Sequence, residues 1–233
     1  MPDQSLSVLT AAAAVIGIVH TLAGPDHYVP FIVMARARRW SLIRTCAITL
    51  ACGLAHVASS VAIGALGIAL GWTVLHLEWV EGVRGELAVW LLLGFGLAYM
   101  VWGMRHAHRQ RHAHGHSHWG AHHHPTAHGT ESAHDDPAPA FRMTPWVLFL
   151  AFAFGPCEPL IPILMYPAAA SSWQGLVAVT GVFALCTLLT MTIAVLAGQH
   201  GLARLSLGHL ERYSHALAGL AVFACGVAIK LGL

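Results

Sequence analysis

Six apolar units, at about 5–38, 42–71, 85–104, 144–169, 173–199 and 211–232, dominate this chain. Each reaches the roughly 20 residues that a helix needs to cross a hydrocarbon core about 30 Å thick. In that solvent every backbone N–H and C=O must be satisfied internally, so the units are expected to be helices. Composition agrees: 57% of the 233 residues are hydrophobic and 9% are charged, against about 25% charged in soluble domains. The expected fold class is an all-α membrane protein with six transmembrane helices. The net charge of +2, with basic residues scattered through short loops, excludes a nucleic-acid-binding surface.

Two of the units carry a Gly-Pro pair in their interiors, Gly24-Pro25 in the first and Gly155-Pro156 in the fourth. Proline removes a donor and clashes with the preceding turn, so both helices are expected to break there. A shift of 131 residues lays Gly24-Pro25-Asp26-His27 on Gly155-Pro156-Cys157-Glu158 and the span of His56 on that of Thr187. Three spans per half is an odd number, so the halves are expected to run in opposite directions. The organisation is two inverted three-helix repeats, 1–104 and 144–233, each with a broken first helix, joined by a loop at 105–143. Transporters built this way place their sites near the midplane, where discontinuous helices meet.

The loops at 36–44, 105–143 and 200–212 fall on one face and hold most of the arginines, whereas the opposite face has only Arg84 and Lys230. The positive-inside rule makes the arginine-rich face cytoplasmic and both termini extracytoplasmic in a multi-pass protein of the inner (plasma) membrane. Trp72 and Trp79, among scattered charges, predict an interfacial segment between the second and third spans. No Lys or Arg precedes the first apolar run, so that span is expected to be retained rather than cleaved as a signal peptide. The cysteines at 46, 52, 157, 186 and 225 lie in apolar runs without paired spacing, unlike a disulfide framework.

Ionisable groups at membrane depth are functional-site candidates by default. His20, Asp26 and His27 surround the first break, Cys157 and Glu158 the second, and His56 lies within the second unit. Ser59 and Ser60 share the helix face of His56, and Thr187 is its counterpart in the other half, so all three are auxiliary polar candidates. Imidazole with carboxylate and a thiol suits a borderline first-row ion such as nickel, cobalt or zinc; magnesium or calcium would call for oxygen alone. Each residue also has a simpler explanation. Asp26 as a helix N-cap, His20 and His56 as interhelical hydrogen-bond partners and Cys157 as a small packing residue stay open. The loop contributes eleven of the eighteen histidines. His112, His114, His116, His118, His122, His123 and His124 form a low-affinity metal tract on the expected cytoplasmic side; an incidental polar linker or an inserted tag is the alternative.

HTLAGPDH, GLAHVASSVAIG and FGPCEPLIPILMYP resemble the signature segments of the nickel/cobalt transporter superfamily, and within it the branch called urease accessory protein H. The resemblance implies metal recognition by His20, Asp26, His27 and His56. Five residues rather than four separate His20 from Asp26, the spans number six rather than eight, and GPCE replaces the second acidic signature. GPCE also resembles the membrane electron-transfer proteins related to cytochrome c biogenesis, which use one cysteine in each half.

These features predict a carrier, not an enzyme, moving nickel or cobalt by alternating access around a midplane His/Asp/Glu site, with uptake favoured over export. No permanently bound cofactor is expected; the metal, with zinc a further candidate, is cargo. The expected partners are the lipid bilayer, the metal ion and cytoplasmic metallochaperones. The alternatives are a membrane thiol-redox electron carrier and a membrane metallochaperone.

Overall fold

The structure, a computed structural model, describes residues 3–113, 144–155, 157, 159–163, 172–204 and 208–232. Among these residues the regular structure is helical throughout. Helix α1 (Asp3–Ala23) stops at Gly24, a 3-10 turn covers Pro25–His27, and α2 (Val29–Ala37) follows. Helix α3 (Leu42–Ala69) is started by Ser41, whose hydroxyl accepts the Arg44 N–H at 3.3 Å. Helix α4 spans Val74–Ala113 and α5 spans Thr144–Phe154. After the second break come α6 (Trp173–Ala203), capped by Ser172, a 3-10 turn at Gly208–Tyr213 and α7 (Ser214–Lys230).

Among the described residues five segments are long and apolar enough to cross a membrane: Ser5–Ala23, Leu42–Ala69, Val74–Arg109, Trp173–Ala203 and Leu210–Lys230. Their outer faces carry exposed Ile43, Leu185, Leu189 and Ile193, side chains that suit acyl chains rather than water. This is a multi-pass membrane protein, and the bilayer is its partner.

The fourth expected span, 144–169, is interrupted where its Gly-Pro pair predicts. Pro145–Phe154 is apolar but shorter than a crossing, because the chain bends at Gly155 and is helical again at 160–163. Helix α4 does depart from expectation. Its 40 residues absorb the stretch expected to lie at the interface and the start of the loop expected from 105. At about 1.5 Å per residue it is about 60 Å long, twice the hydrocarbon thickness. The charges that suggested an interface are tolerated inside this helix because Glu81 and Arg84 pair with each other within the protein. Arg84 is therefore buried rather than an exterior topological charge, and Lys230 pairs with Glu86.

Apolar burial gains little between helices in lipid, so close packing must supply the cohesion. Helices α4 and α7 achieve it through glycines. A Cβ on Gly219 would lie 2.7 Å from Met100 Cα and 2.8 Å from Gly96 O, and one on Gly96 would lie 2.8 Å from Phe223 Cα. The obstacles are backbone, which cannot swing aside. Beneath the broken helices a buried cluster of Phe31, Met34, Tyr99, Leu148, Phe152 and Met191 ties α2, α4, α5 and α6 together. We predict that Gly219→Val forces α4 and α7 apart and costs about 1–3 kcal/mol or more. Thermal unfolding in detergent should show a fall of several degrees, whereas Gly181→Val, at an open position, should leave the melting temperature near that of the parent.

Candidate functional site

Proline at position 25 denies the chain an i→i−4 donor, and the break is closed by short local bonds instead. The Gly24 N–H donates to His20 O at 3.1 Å, His27 N–H to Gly24 O at 3.0 Å and Tyr28 N–H to Pro25 O at 3.3 Å. This tight reversal swings His27 back towards His20. Their ring centroids are 4.7 Å apart, and His56 from α3 approaches His27 at 5.4 Å and His20 at 6.5 Å. One ring nitrogen from each of the three histidines lies within 4.8 Å of the others.

The hydrogen bonds determine which nitrogen is left to face a ligand. His27 Nδ1 lies 3.1 Å from Gly24 O, and His56 Nδ1 lies 3.3 Å from Phe152 O. A carbonyl only accepts, so both Nδ1 atoms carry hydrogen and, in the neutral ring, both Nε2 atoms present a lone pair. The Nε2 atoms of His20, His27 and His56 are all buried and unpaired among the described residues. Buried polar atoms are almost always satisfied, so three such nitrogens on rings gathered this closely have the character of a ligand set. Asp26 stands behind His27, with Oδ1 3.3 Å from Nδ1. That is how a carboxylate orients a metal-binding imidazole from outside the coordination sphere. A tetrahedral ion at about 2.0–2.1 Å from each nitrogen needs them about 3.4 Å apart, a contraction within reach of side-chain motion. The cluster forms one wall of a cavity of about 340 Å³, walled elsewhere by Gly85, Ala88, Val89 and Leu92 of α4 and Ile229 of α7.

The second break is held differently. Gly155 packs against His56, such that a Cβ there would meet Nδ1 at 3.2 Å. The carbonyls released by the break point at Arg84, whose Nη2 donates to Gly155 O at 2.6 Å and Ala153 O at 3.5 Å. The second hydrogen of the same nitrogen is shared between Ser59 and Ser60 Oγ, at 3.1 and 3.3 Å, and Nη1 donates to Glu81 Oε1 at 2.7 Å. Glu81 Oε2 in turn accepts the Cys157 N–H at 3.3 Å. A cation therefore covers the C-terminal end of one half-helix and an anion meets the amide that follows, matching the sign of each helix end.

Of the expected site residues, His20, His27 and His56 are brought together, with Asp26 behind them. Asp26 does not cap α2, whose N-cap is Tyr28 without a side-chain bond. Ser59 and Ser60 accept from Arg84, and the Ser59 hydroxyl donates to the backbone carbonyl of His56 at 2.8 Å; neither side chain reaches the imidazoles. Cys157 is wholly buried among Ala13, Leu160, Ile163, Val179 and Phe183 and does not line the cavity. Thr187 is buried against Gly17. Glu158 lies outside the described residues, as do His114, His116, His118, His122, His123 and His124; of His112 only the helical backbone is described. Sequence reasoning misses Glu81 and Arg84 as site residues. Their i, i+3 spacing inside an apolar stretch is the signal, hidden by the tryptophans nearby.

Residues 12–228 match the family described as cytochrome c biogenesis protein transmembrane region. The chain belongs to this family. No curated protein and no solved structure matches it. Membership corrects the resemblance to the nickel/cobalt transporters and their urease accessory branch: the three motifs are short, whereas this match takes in both breaks and nearly every helix. It also overturns the reading as a nickel or cobalt carrier working by alternating access, and with it the expectation of a carrier that is not an enzyme. The resemblance of GPCE to the cytochrome c biogenesis proteins is the one that the whole chain supports.

The tight first break yields a test. A Cβ on Gly24 would lie 2.8 Å from Asp26 Oδ1 and 2.9 Å from His27 Cε1. Gly24→Ala should push the His27 ring out of its buried position. Modification by diethyl pyrocarbonate, read by peptide mass spectrometry, should rise severalfold at His27; an unchanged rate would show that the ring does not depend on this glycine.

Proposed function

We propose that this chain is a membrane thiol-redox protein of the cytochrome c biogenesis class, with Cys157 as its exchanging thiol. The observation that carries the reading is the family match across 12–228, which includes Cys157 at the second break. Family members of the electron-transfer type use one cysteine in each half; here the position corresponding to Cys157 in the first half is Asp26. Exchange therefore runs with other proteins. The Cys157 thiolate attacks a partner disulfide, a Cys157–partner disulfide forms, and the partner's second sulfur leaves as a thiolate. A thiol of a donor dithiol protein then attacks the Cys157 sulfur and releases the partner fully reduced. The donor's second thiol displaces Cys157 in turn, which leaves the donor as a disulfide. Because Cys157 is wholly buried, the second break must open for the exchange.

The six-span inverted repeat and the cytoplasmic placement of the arginine-rich face belong to this reading. The helix pairing supports the repeat. Helix α1 packs on α6 as α3 packs on α5, so each pairing becomes the other when the halves are exchanged. Helix α3 also packs on its counterpart α6, and α4 on its counterpart α7.

Acid quenching and alkylation of whole membranes should trap a Cys157–partner disulfide, and Cys157→Ser should abolish both the adduct and reduction of an extracytoplasmic thiol partner. Full reduction activity in Cys157→Ser would remove this reading.

A second reading rests on the three unpaired histidine nitrogens. They fit a transition-metal ion held within the bilayer, as in a membrane metallochaperone, with His20, His27 and His56 as ligands and Asp26 orienting His27. Zn²⁺ titration of the purified protein should reveal one site tighter than the histidine tract. His27→Ala and His56→Ala should each weaken it at least about tenfold, and Asp26→Asn about tenfold. Equal affinity in all three variants would assign the binding to the tract.

A further inference from the structure

The Glu81–Arg84 pair is used neither as thiol nor as ligand, yet both charges are buried at membrane depth, Glu81 completely. Two charges there are costly unless fully hydrogen-bonded. A pair whose sole task was to hold helices together would gain little over apolar side chains of the same size. What the pair touches indicates its task. Arg84 binds two carbonyls before the second break and two serines of α3, and Glu81 binds the amide of Cys157 after it. It thereby ties together three pieces around the break: the end of α5, the chain leading into 160–163 and the stretch of α3 just after His56.

We infer that Glu81 and Arg84 are positioning residues that latch the second broken helix shut and so govern the availability of Cys157. This rests on the reading of Cys157 as the exchanging thiol. With the latch made, the thiol stays packed against Leu160, Val179 and Phe183. Breaking the latch frees the carbonyls of Ala153 and Gly155 and the Cys157 amide together, and the segment leaves as a unit. Serines 59 and 60 make the opening graded, because each offers Arg84 an acceptor that does not move with the break. The Phe152 carbonyl that fixes His56 lies one residue before Ala153, so the same movement would alter the presentation of His56.

The experiment is bilayer-permeant N-ethylmaleimide labelling of the full chain in membranes, with each cysteine followed by mass spectrometry. Cys157 should label slowly in the parent protein. Loss of one partner from a buried pair is strongly destabilising, so Glu81→Gln and Arg84→Gln should each raise the Cys157 rate at least about tenfold. Cys225, buried on α7, should keep its rate in both variants. Arg84→Lys, which keeps the charge but not the fork, should restore part of the protection. Where the glutamine variants fail to accumulate, Ser60→Ala and Arg84→Lys carry the test with smaller rises at Cys157 alone. Labelling of Cys157 within twofold of the parent, or an equal rise at Cys225, would overturn the latch. Labelling reads the position of the thiol and disulfide trapping reads its exchange. A working latch without a trapped adduct would therefore remove the redox reading and leave the latch.

Discussion

A helix broken inside a bilayer leaves carbonyls and amides with no water to turn to, and the way that demand is met at Gly155 governs much of this molecule. Arg84 accepts the burden on one side of the break and Glu81 on the other. Their mutual contact at 2.7 Å lets each charge exist where neither would alone. Moving Arg84 would release the end of α5 at Ala153 and Gly155, next to the Phe152 carbonyl that orients His56. The link between α3 and α4 beside this point passes through Ser59 and Ser60, so the polar network stands in for the interdigitated side chains used elsewhere.

The first break meets the same demand by other means. Its groups are satisfied locally, between His20 and Tyr28, through Gly24, Pro25 and His27, and no distant charge is needed. A self-sufficient break leaves its side chains available for another purpose, and three imidazoles gather there. The two breaks are alike in sequence position and unlike in chemistry: one gathers nitrogen ligands, the other holds a lone thiol under a charged latch. Both reach His56, from one side through the ring of His27 and from the other through Phe152 and Gly155.

Much of the fold was legible because lipid leaves few options. The apolar runs, the two breaks and the histidines of the first break all follow from local rules about backbone satisfaction and proline. The reach of α4 was not legible, since Glu81, Arg84 and the nearby tryptophans look interfacial until their partners are known. The longer of the metal-like motifs also proved a poorer guide to family than the four residues GPCE. HTLAGPDH pointed to nickel and cobalt transport because histidine and aspartate at a helix break suit metal wherever they occur, while the family match extends over residues 12–228.

Residue order alone places this chain in a membrane, interrupts two of its helices and clusters ionisable groups at the interruptions. Composition and proline suffice for that, because each acts within one or two turns. Which of those groups meet was settled by packing. His56 comes from α3 to meet His20 and His27 of the first break, and the three rings gather at one place, each with an unpaired nitrogen, while Cys157 turns into apolar surroundings with its amide on Glu81. Contacts between residues so far apart in the chain depend on how α3, α4 and α5 pack, and no local rule contains that.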